Sequence, residues 1–344
     1  MQKKKIKIIF FGLGSAGQRH LKNLKNLNLN IEIYYYKKTK TNFIITNNLQ
    51  KKNGNLLKKY NVTLLKTIGD IKKINPDIAF ICNPSSEHTK YALICANLGC
   101  DLFIEKPISN NFENLKKLMK VVKKKKLVVS IGYQFLFHPL LQKLKYIIKS
   151  KKYGELQNGF VIMNENVKKY RKYGTYKDLL ITQNKSGGGV LLEQSHDLNS
   201  LLWLMGAKPK LKNCFRFRDR SLHFDKGLED SAQLCLSFQT KTTNRCKVYL
   251  LLSSNSDKKE KNISLFFSKA RVNLDLIRNI LEIEAINKKT TVKSNISRND
   301  LFINEIKQFF VKIKKRIIND VSAEQSLQTL NIILRAKKYK LQQI

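Results

Sequence analysis

The feature that most narrows the fold is a glycine turn with an apolar strand before it and a helix-like run after it. Residues Ile6 to Phe11 read I-K-I-I-F-F, Gly12 to Gly17 follow as G-L-G-S-A-G, and helical periodicity begins near Gln18. A G-x-G-x-x-G match is weak alone and gains meaning from this strand, turn and helix context. The glycines permit a tight turn and let backbone N–H groups approach a pyrophosphate, whose charge then sits at a helix N-terminus. Gly12, Gly14, Ser15, Ala16 and Gly17 are therefore candidate dinucleotide-binding residues. About twenty residues further on, a carboxylate should take the ribose hydroxyls if the cofactor is NAD. The strand Ile31 to Tyr36 ends instead in Lys37, Lys38 and Thr39. With no acid there and two cations able to pair with a 2′-phosphate, Lys37 and Lys38 favour NADP over NAD.

The pattern after the turn alternates apolar strands with helical stretches as far as Val129, the mark of a parallel sheet with helices on both faces. Ile6 to Phe11, Ile31 to Tyr36, Asp77 to Cys82, Asp101 to Ile104 and Leu127 to Ile131 are the candidate strands. A helix over Leu140 to Ser150 follows. Strand-like runs then come in succession at Lys210 to Phe217, Ala232 to Phe238, Lys247 to Ser253, Asn262 to Phe267, Ala270 to Leu276 and Ile280 to Ile286, which suggests a large, mostly antiparallel sheet. Helical periodicity returns over Asn299 to Lys315 and Ala323 to Lys340. The expected organisation is α/β: a doubly wound (Rossmann) domain over residues 1–132, and a second α/β domain with a large, mostly antiparallel sheet over residues 133–344, its C-terminal helices able to pack back on the first.

At 344 residues the chain has room for two cores. No stretch has the roughly 18 uninterrupted apolar residues of a membrane span, and Met1 to Phe11 lacks the cleavage site and core length of a signal peptide. The net charge of +41, from 66 Lys and Arg against 25 Asp and Glu, invites a nucleic-acid reading. The lysines are instead scattered through every element alongside an excess of Asn and Ile, as coding bias would leave them. No nucleic-acid partner is expected. Such a field raises the local concentration of anionic substrates. The six cysteines form no C-x-x-C pair and no zinc-like cluster, so no metal is expected and the thiols fit a reducing, cytoplasmic setting.

Two further motifs carry chemistry. Glu105-Lys106-Pro107 directly follows the strand Asp101 to Ile104, and ligands of doubly wound folds bind beyond the carboxyl ends of the strands. Between Gly187-Gly188-Gly189 and Gly206, a helical wheel sets Leu191, Leu198, Leu202 and Met205 against Glu193, His196, Asp197 and Ser200. A histidine there suits proton transfer, with Glu193 three residues earlier placed to orient it.

With these motifs in this order, the sequence resembles the Gfo/Idh/MocA family of glucose-fructose oxidoreductase, inositol dehydrogenase and their relatives. The resemblance also takes in Gln18-Arg19-His20, Cys82-Asn83-Pro84 with His88, Gly132-Tyr133-Gln134 and His138-Pro139. It implies hydride transfer between a nicotinamide and a secondary alcohol or ketone, commonly of a sugar. By the same resemblance Lys106 binds the reacting hydroxyl, His196 is the acid/base and Glu193 supports it. Asn83, Pro84, His88 and Glu105 lie along the cofactor, and Tyr133, His138 and Asp197 are substrate-side candidates. A homo-oligomer, dimer or tetramer, through the C-terminal sheet is implied too.

Three positions depart from the family pattern. Leu192 stands where many members carry an aspartate four residues before the histidine, with Glu193 read as the substitute. Leu136 replaces a usual cation, and Asn199 replaces a common aspartate. Relatives that combine G-S-x-G-x-R-H with S-H-[DE] look like enzymes of surface-polysaccharide or amino-sugar pathways, which suggests an activated sugar as substrate. The alternative is a non-catalytic sensor that keeps the dinucleotide fold for ligand binding.

Overall fold

A computed structural model describes residues 4–36, 43–46, 50–170, 174–240, 243–318 and 321–344. The chain divides into two compact units, one built mainly from Met1–Gly132 with Phe302–Glu324, the other from Tyr133–Tyr170, Thr175–Leu301 and Gln325–Ile344.

In the first unit, strand β1 (Ile6–Phe11) leads through the glycine turn into helix α1 (Ser15–Lys25) and strand β2 (Ile31–Tyr36). A small hairpin of β3 (Phe43–Ile45) and β4 (Lys51–Asn53) follows. Helix α2 (Leu56–Tyr60), strand β5 (Val62–Leu65), helix α3 (Ile68–Ile74), strand β6 (Ile78–Ile81), helix α4 (His88–Leu98), strand β7 (Asp101–Glu105), helix α5 (Leu115–Lys125) and strand β8 (Val129–Gly132) complete the run. Among the described residues the sheet is wholly parallel, in the order β5-β2-β1-β6-β7-β8. Counted along the chain this is 3-2-1-4-5-6, the doubly wound arrangement, with its switch point between β1 and β6.

Parallel strands covered on both faces read as unbroken apolar runs, and Ile78–Ile81 is buried at every position. Phe10, Phe80 and Phe103 stack across β1, β6 and β7, with ring centroids 5.0 and 4.9 Å apart. Ile306 and Phe309, more than two hundred residues downstream, complete this core. Helix α5 ends in Lys123, Lys124 and Lys125, cations where the helix dipole favours them.

The second unit holds helix α6 (Pro139–Ser150), strand β9 (Leu156–Asn166), helices α7 (Val190–Glu193) and α8 (Ser195–Met205), and strands β10 (Lys210–Arg218), β11 (Ser231–Thr240), β12 (Thr243–Ser253), β13 (Asn255–Phe267), β14 (Ala270–Asp275), β15 (Ile280–Ala285) and β16 (Lys288–Lys293). The long helices α9 (Arg298–Lys315) and α10 (Val321–Ala336) and a short strand β17 (Leu341–Gln343) end the chain. Nine of these strands form one sheet, in the order β16-β15-β14-β13-β9-β12-β11-β10-β17. It is antiparallel except where β9 meets β12 and β10 meets β17. One face buries Val161, Val248, Leu250, Ile263 and Leu265. The opposite face carries Phe160 stacked on Tyr249 at 5.5 Å, with Phe215 also exposed.

Two expectations change here. The helix read through to Lys340 stops at Ala336, and Leu341–Gln343 then adds an edge strand. Strand β9, the sheet's middle strand, was not among the expected ones. No helix among the described residues is long and apolar enough to cross a membrane.

Candidate active site

The glycine turn lies at the switch point of the first sheet, and the space around each glycine differs. Gly12 has φ of +89°, and a Cβ there would lie 2.5 Å from the Asn83 backbone nitrogen. The turn after β1 thus packs directly on the loop after β6. A Cβ on Gly17 would strike the Gly12 carbonyl, so the turn also folds on itself. Gly14, by contrast, has nothing within 4 Å of its Cβ position, and it is the N-cap of α1 without a side-chain cap bond. The first turn of α1 therefore presents N–H groups, including those of Ser15, Ala16 and Gly17, beside an open space, the geometry that accepts a pyrophosphate. Asn83 gives its Nδ2 hydrogen to Glu87 Oε2 at 3.3 Å, while its buried Oδ1 has no hydrogen-bond partner among the described residues. An acceptor left over beside this turn fits a dinucleotide. Lys37 and Lys38 lie outside the described residues.

One strand further along, Lys106 follows the last residue of β7 at the carboxyl edge of the sheet. Its neighbours on both sides are anchored from below. His20 Nε2 is 2.6 Å from Glu105 Oε1, and the His20 ring is fully buried among Phe80, Phe103 and Phe302. Burial by itself would push the Glu105 carboxyl up; the His20 hydrogen bond and charge, with Lys106 and His88, reverse this and hold it below the usual value. The carboxylate thus turns inward, also accepting from the Lys106 N–H at 3.2 Å. Both Glu105 oxygens serve the anchoring of the loop, Oε1 toward His20 and Oε2 toward the Lys106 N–H. On the other side, His88 reaches the carbonyl oxygens of Pro107 at 2.9 Å and Asn83 at 2.8 Å. The Lys106–Pro107 peptide is cis.

In the second unit the helix expected from Gly187 to Gly206 is two helices, α7 and α8, meeting at Gln194. Gln194 Nε2 donates to the Tyr170 hydroxyl at 3.0 Å, and burial pushes that phenol's pKa up. The polar stripe does not face solvent: Ser195 to Leu202 are all buried. His196 stands edge-on to the Tyr133 and Phe135 rings, with centroids 5.6 and 5.3 Å away. Glu193 ends α7 and is half-buried, so it and His196 do not share one continuous helix.

Two of the substrate-side candidates, Asp197 and His138, already hold partners within the second unit. Asp197 is 3% exposed and its Oδ2 lies 2.9 Å from Lys261 Nζ, itself 4.5 Å above the Phe135 ring. His138 caps α6 by accepting from the Leu140 N–H at 3.2 Å, and its other ring nitrogen donates to Asn279 Oδ1 at 3.0 Å. Tyr133 is nearly fully buried against His196. Asn199 ties α8 to α10, donating to Thr329 Oγ1 at 3.0 Å and accepting from Gln325 Nε2 at 2.9 Å.

Residues that sequence reasoning passed over hold the His196 segment. Glu229, with 0% exposure, accepts from the Leu191 N–H at 3.3 Å, and a Cβ on Gly189 would lie 2.3 Å from its Oε1. Arg216 donates twice to Glu229 Oε2, at 2.7 and 3.1 Å, and its remaining hydrogens go to the carbonyls of Gly227, Lys337 and Tyr339. Lys261 did leave a trace in the sequence: it falls in phase with the inward residues Ile263, Leu265 and Phe267. Among the described residues no group of His, Cys, Asp and Glu is arranged to hold a metal.

Residues 6–133 match the model of an oxidoreductase family with an NAD-binding Rossmann fold, Gfo/Idh/MocA. A myo-inositol 2-dehydrogenase from Thermotoga maritima is 22% identical over 284 residues, 78% of each chain. Among solved structures, the UDP-N-acetylglucosamine 3-dehydrogenase GnnA from Acidithiobacillus ferrooxidans superposes with a TM-score of 0.73 at 17% identity, covering 98% of both chains. KijD10, a 3-ketoreductase from Actinomadura kijaniata in complex with NADP and TDP-benzene, gives 0.78 at 14% identity over 99% of both. At such identities the likeness is one of fold, and it extends over both units. The glycine turn, the 3-2-1-4-5-6 strand order and the matched segment converge: the chain is an oxidoreductase that binds NAD or NADP, and residues 6–133 are a Rossmann domain of the Gfo/Idh/MocA family.

Proposed function

We propose that the protein transfers a hydride between nicotinamide C4 and a secondary alcohol or ketone of a sugar derivative, with a nucleotide-activated sugar as the favoured substrate. The observation that carries this reading is Lys106, placed at the carboxyl edge of β7 beside the switch point, with the residues on both sides of it held by buried histidines. Ser15, Ala16 and Gly17 would hold the pyrophosphate by their N–H groups. Asn83 and Pro84 would flank the nicotinamide end, and Lys37 and Lys38 tip the choice to NADP. When bound, the nicotinamide supplies the hydride acceptor or donor. In the oxidative direction Lys106 donates a hydrogen bond to the hydroxyl oxygen and stabilises the negative charge that grows there as the C–H bond breaks. His196 takes the hydroxyl proton; in reduction it returns that proton to the oxygen.

The substrate class draws on two similar folds, a dehydrogenase of UDP-N-acetylglucosamine and a ketoreductase with a TDP ligand, and on the net charge of +41, which favours encounter with a diphosphate. Residues 133–344 would form the substrate domain of a cytoplasmic enzyme. Its exposed aromatic sheet face, with Phe160, Tyr249 and Phe215, supports assembly of two or four copies.

The test is titration of NADH and NADPH by fluorescence, followed by a screen of nucleotide sugars for hydride transfer. Lys106→Ala and His196→Ala should each abolish turnover with nucleotide affinity nearly intact. Wild-type rates in both variants would overturn the assignment.

A further inference from the structure

His88 starts helix α4 and is 1% exposed, yet both of its ring nitrogens face carbonyl oxygens, Nδ1 that of Pro107 and Nε2 that of Asn83. A carbonyl oxygen only accepts, so each bond needs a proton on the ring. Neutral imidazole carries one N–H: it can bond one of the two oxygens and must turn a lone pair toward the other. Only the imidazolium donates to both. The charged groups that bear on the ring are Glu105, which favours the cation, and Lys106, which opposes it. Burial is the largest influence and pulls the pKa below the ordinary histidine value, against the two carbonyls and Glu105.

The two carbonyls belong to the two loops that matter. Pro107 immediately follows Lys106, and the Asn83 backbone is the surface on which Gly12 packs. With Glu105 already fixed by His20, His88 supplies the second anchor of Lys106, and one that depends on a proton. We propose that His88 is the positioning residue for Lys106: as imidazolium it clamps the Lys106–Pro107 loop to the Asn83 loop, and on losing its proton it releases one of them. The sign follows from the lowered pKa. The clamp is complete only at pH below an ordinary histidine titration, and it opens as pH rises toward that range. This proposal rests on Lys106 being the lysine that binds the reacting oxygen.

The experiment has two arms, both on the full chain. In the first, ¹⁵N-histidine spectra are recorded from about pH 4 to 8, reaching below the ordinary span of histidine titration, with His88 assigned by its loss in His88→Gln. The expected result is two protonated ring nitrogens at the acid end and one at the alkaline end. A ring with a single proton throughout would overturn the proposal, and this arm needs neither substrate nor turnover. In the second arm, His88→Leu should lower kcat by about 100-fold, the scale of a misplacement near 1 Å. His88→Gln, whose single NH₂ offers two hydrogens with no pKa, should recover most of that loss and abolish the step in kcat that wild type shows as His88 titrates. If His88→Leu turns over like wild type, His88 does not position Lys106. If instead Lys106→Ala retains full turnover, the functional reading falls, while the spectra still report on the clamp.

Discussion

Lys261 Nζ and Asp197 Oδ2 lie 2.9 Å apart, with side chains 10% and 3% exposed, at the residue next to His196. Removing one member of a buried pair strands a charge, typically at a cost of about 3–5 kcal/mol, whereas removing both is far milder. Lys261→Met and Asp197→Asn should each lower the thermal midpoint sharply, and the double variant should recover much of the loss. Additive losses in a double-mutant cycle would show that the two groups are not coupled.

The His20–Glu105 pair makes stability depend on acid. Glu105 has a folded pKa below its unfolded one, so its contribution is present above the unfolded value near 4.5 and is lost as pH falls through the folded value. His20→Ala removes the largest of the influences that hold that pKa down. Acid unfolding should then begin at higher pH than in wild type, which circular dichroism along a pH series would detect.

Two glycines of one turn should respond in opposite ways. Gly14→Ala meets empty space at an ordinary φ of −74°, so the thermal midpoint should stay within a few degrees. NADPH should bind at least about tenfold more weakly, because the new methyl group stands where backbone must approach the pyrophosphate. Gly12→Ala combines positive φ with a 2.5 Å clash against Asn83 backbone and should lose the fold before affinity can be measured.

Asn199 stands where an aspartate is common in similar proteins, but its amide is used on both sides. Thr329 Oγ1 gives its own proton to the Gln325 carbonyl, so Asn199→Asp would set a carboxylate oxygen against an oxygen with no hydrogen to offer. A loss of about 1–3 kcal/mol is expected, the cost of a buried polar group without its partner. An unchanged urea midpoint would contradict this bonding scheme.

The exposed aromatic face can be tested by Phe160→Glu with Tyr249→Glu. If copies assemble through it, sedimentation should shift to the monomer while the far-ultraviolet spectrum is retained.

Much of this architecture was legible where one physical signal ruled. The buried parallel strands stand out as apolar runs, and β1 and β2 match the expected bounds residue for residue. Strand β9 escaped because its sequence, L-Q-N-G-F-V-I-M-N-E-N, mixes an outward Phe160 and a central Gly159 with several amides and so blurs the period of two. The end of α10 escaped because the lysines after Ala336 neither cap nor break a helix visibly. At the site, spacing put Lys106 at a strand end and marked His196 as a candidate base. It could not show that Glu105 faces His20, 85 residues away, or that Asp197 and His138 are occupied by Lys261 and Asn279. Pairings between distant elements are decided by packing, and local periodicity carries no record of them.

Ile306 and Phe309, which pack among Ile8, Phe10 and Phe80, make the nucleotide-binding unit continuous in space but not along the chain. A ribosome that has released residues 1–132 has made every strand of the first sheet and still lacks part of the wall that closes it. Until the segment beginning at Phe302 emerges, the aromatic stack stays partly uncovered. An expression fragment cut at Gly132 would carry that opening permanently, so the dinucleotide site is best obtained from the whole chain or from a design that restores α9 to the fragment.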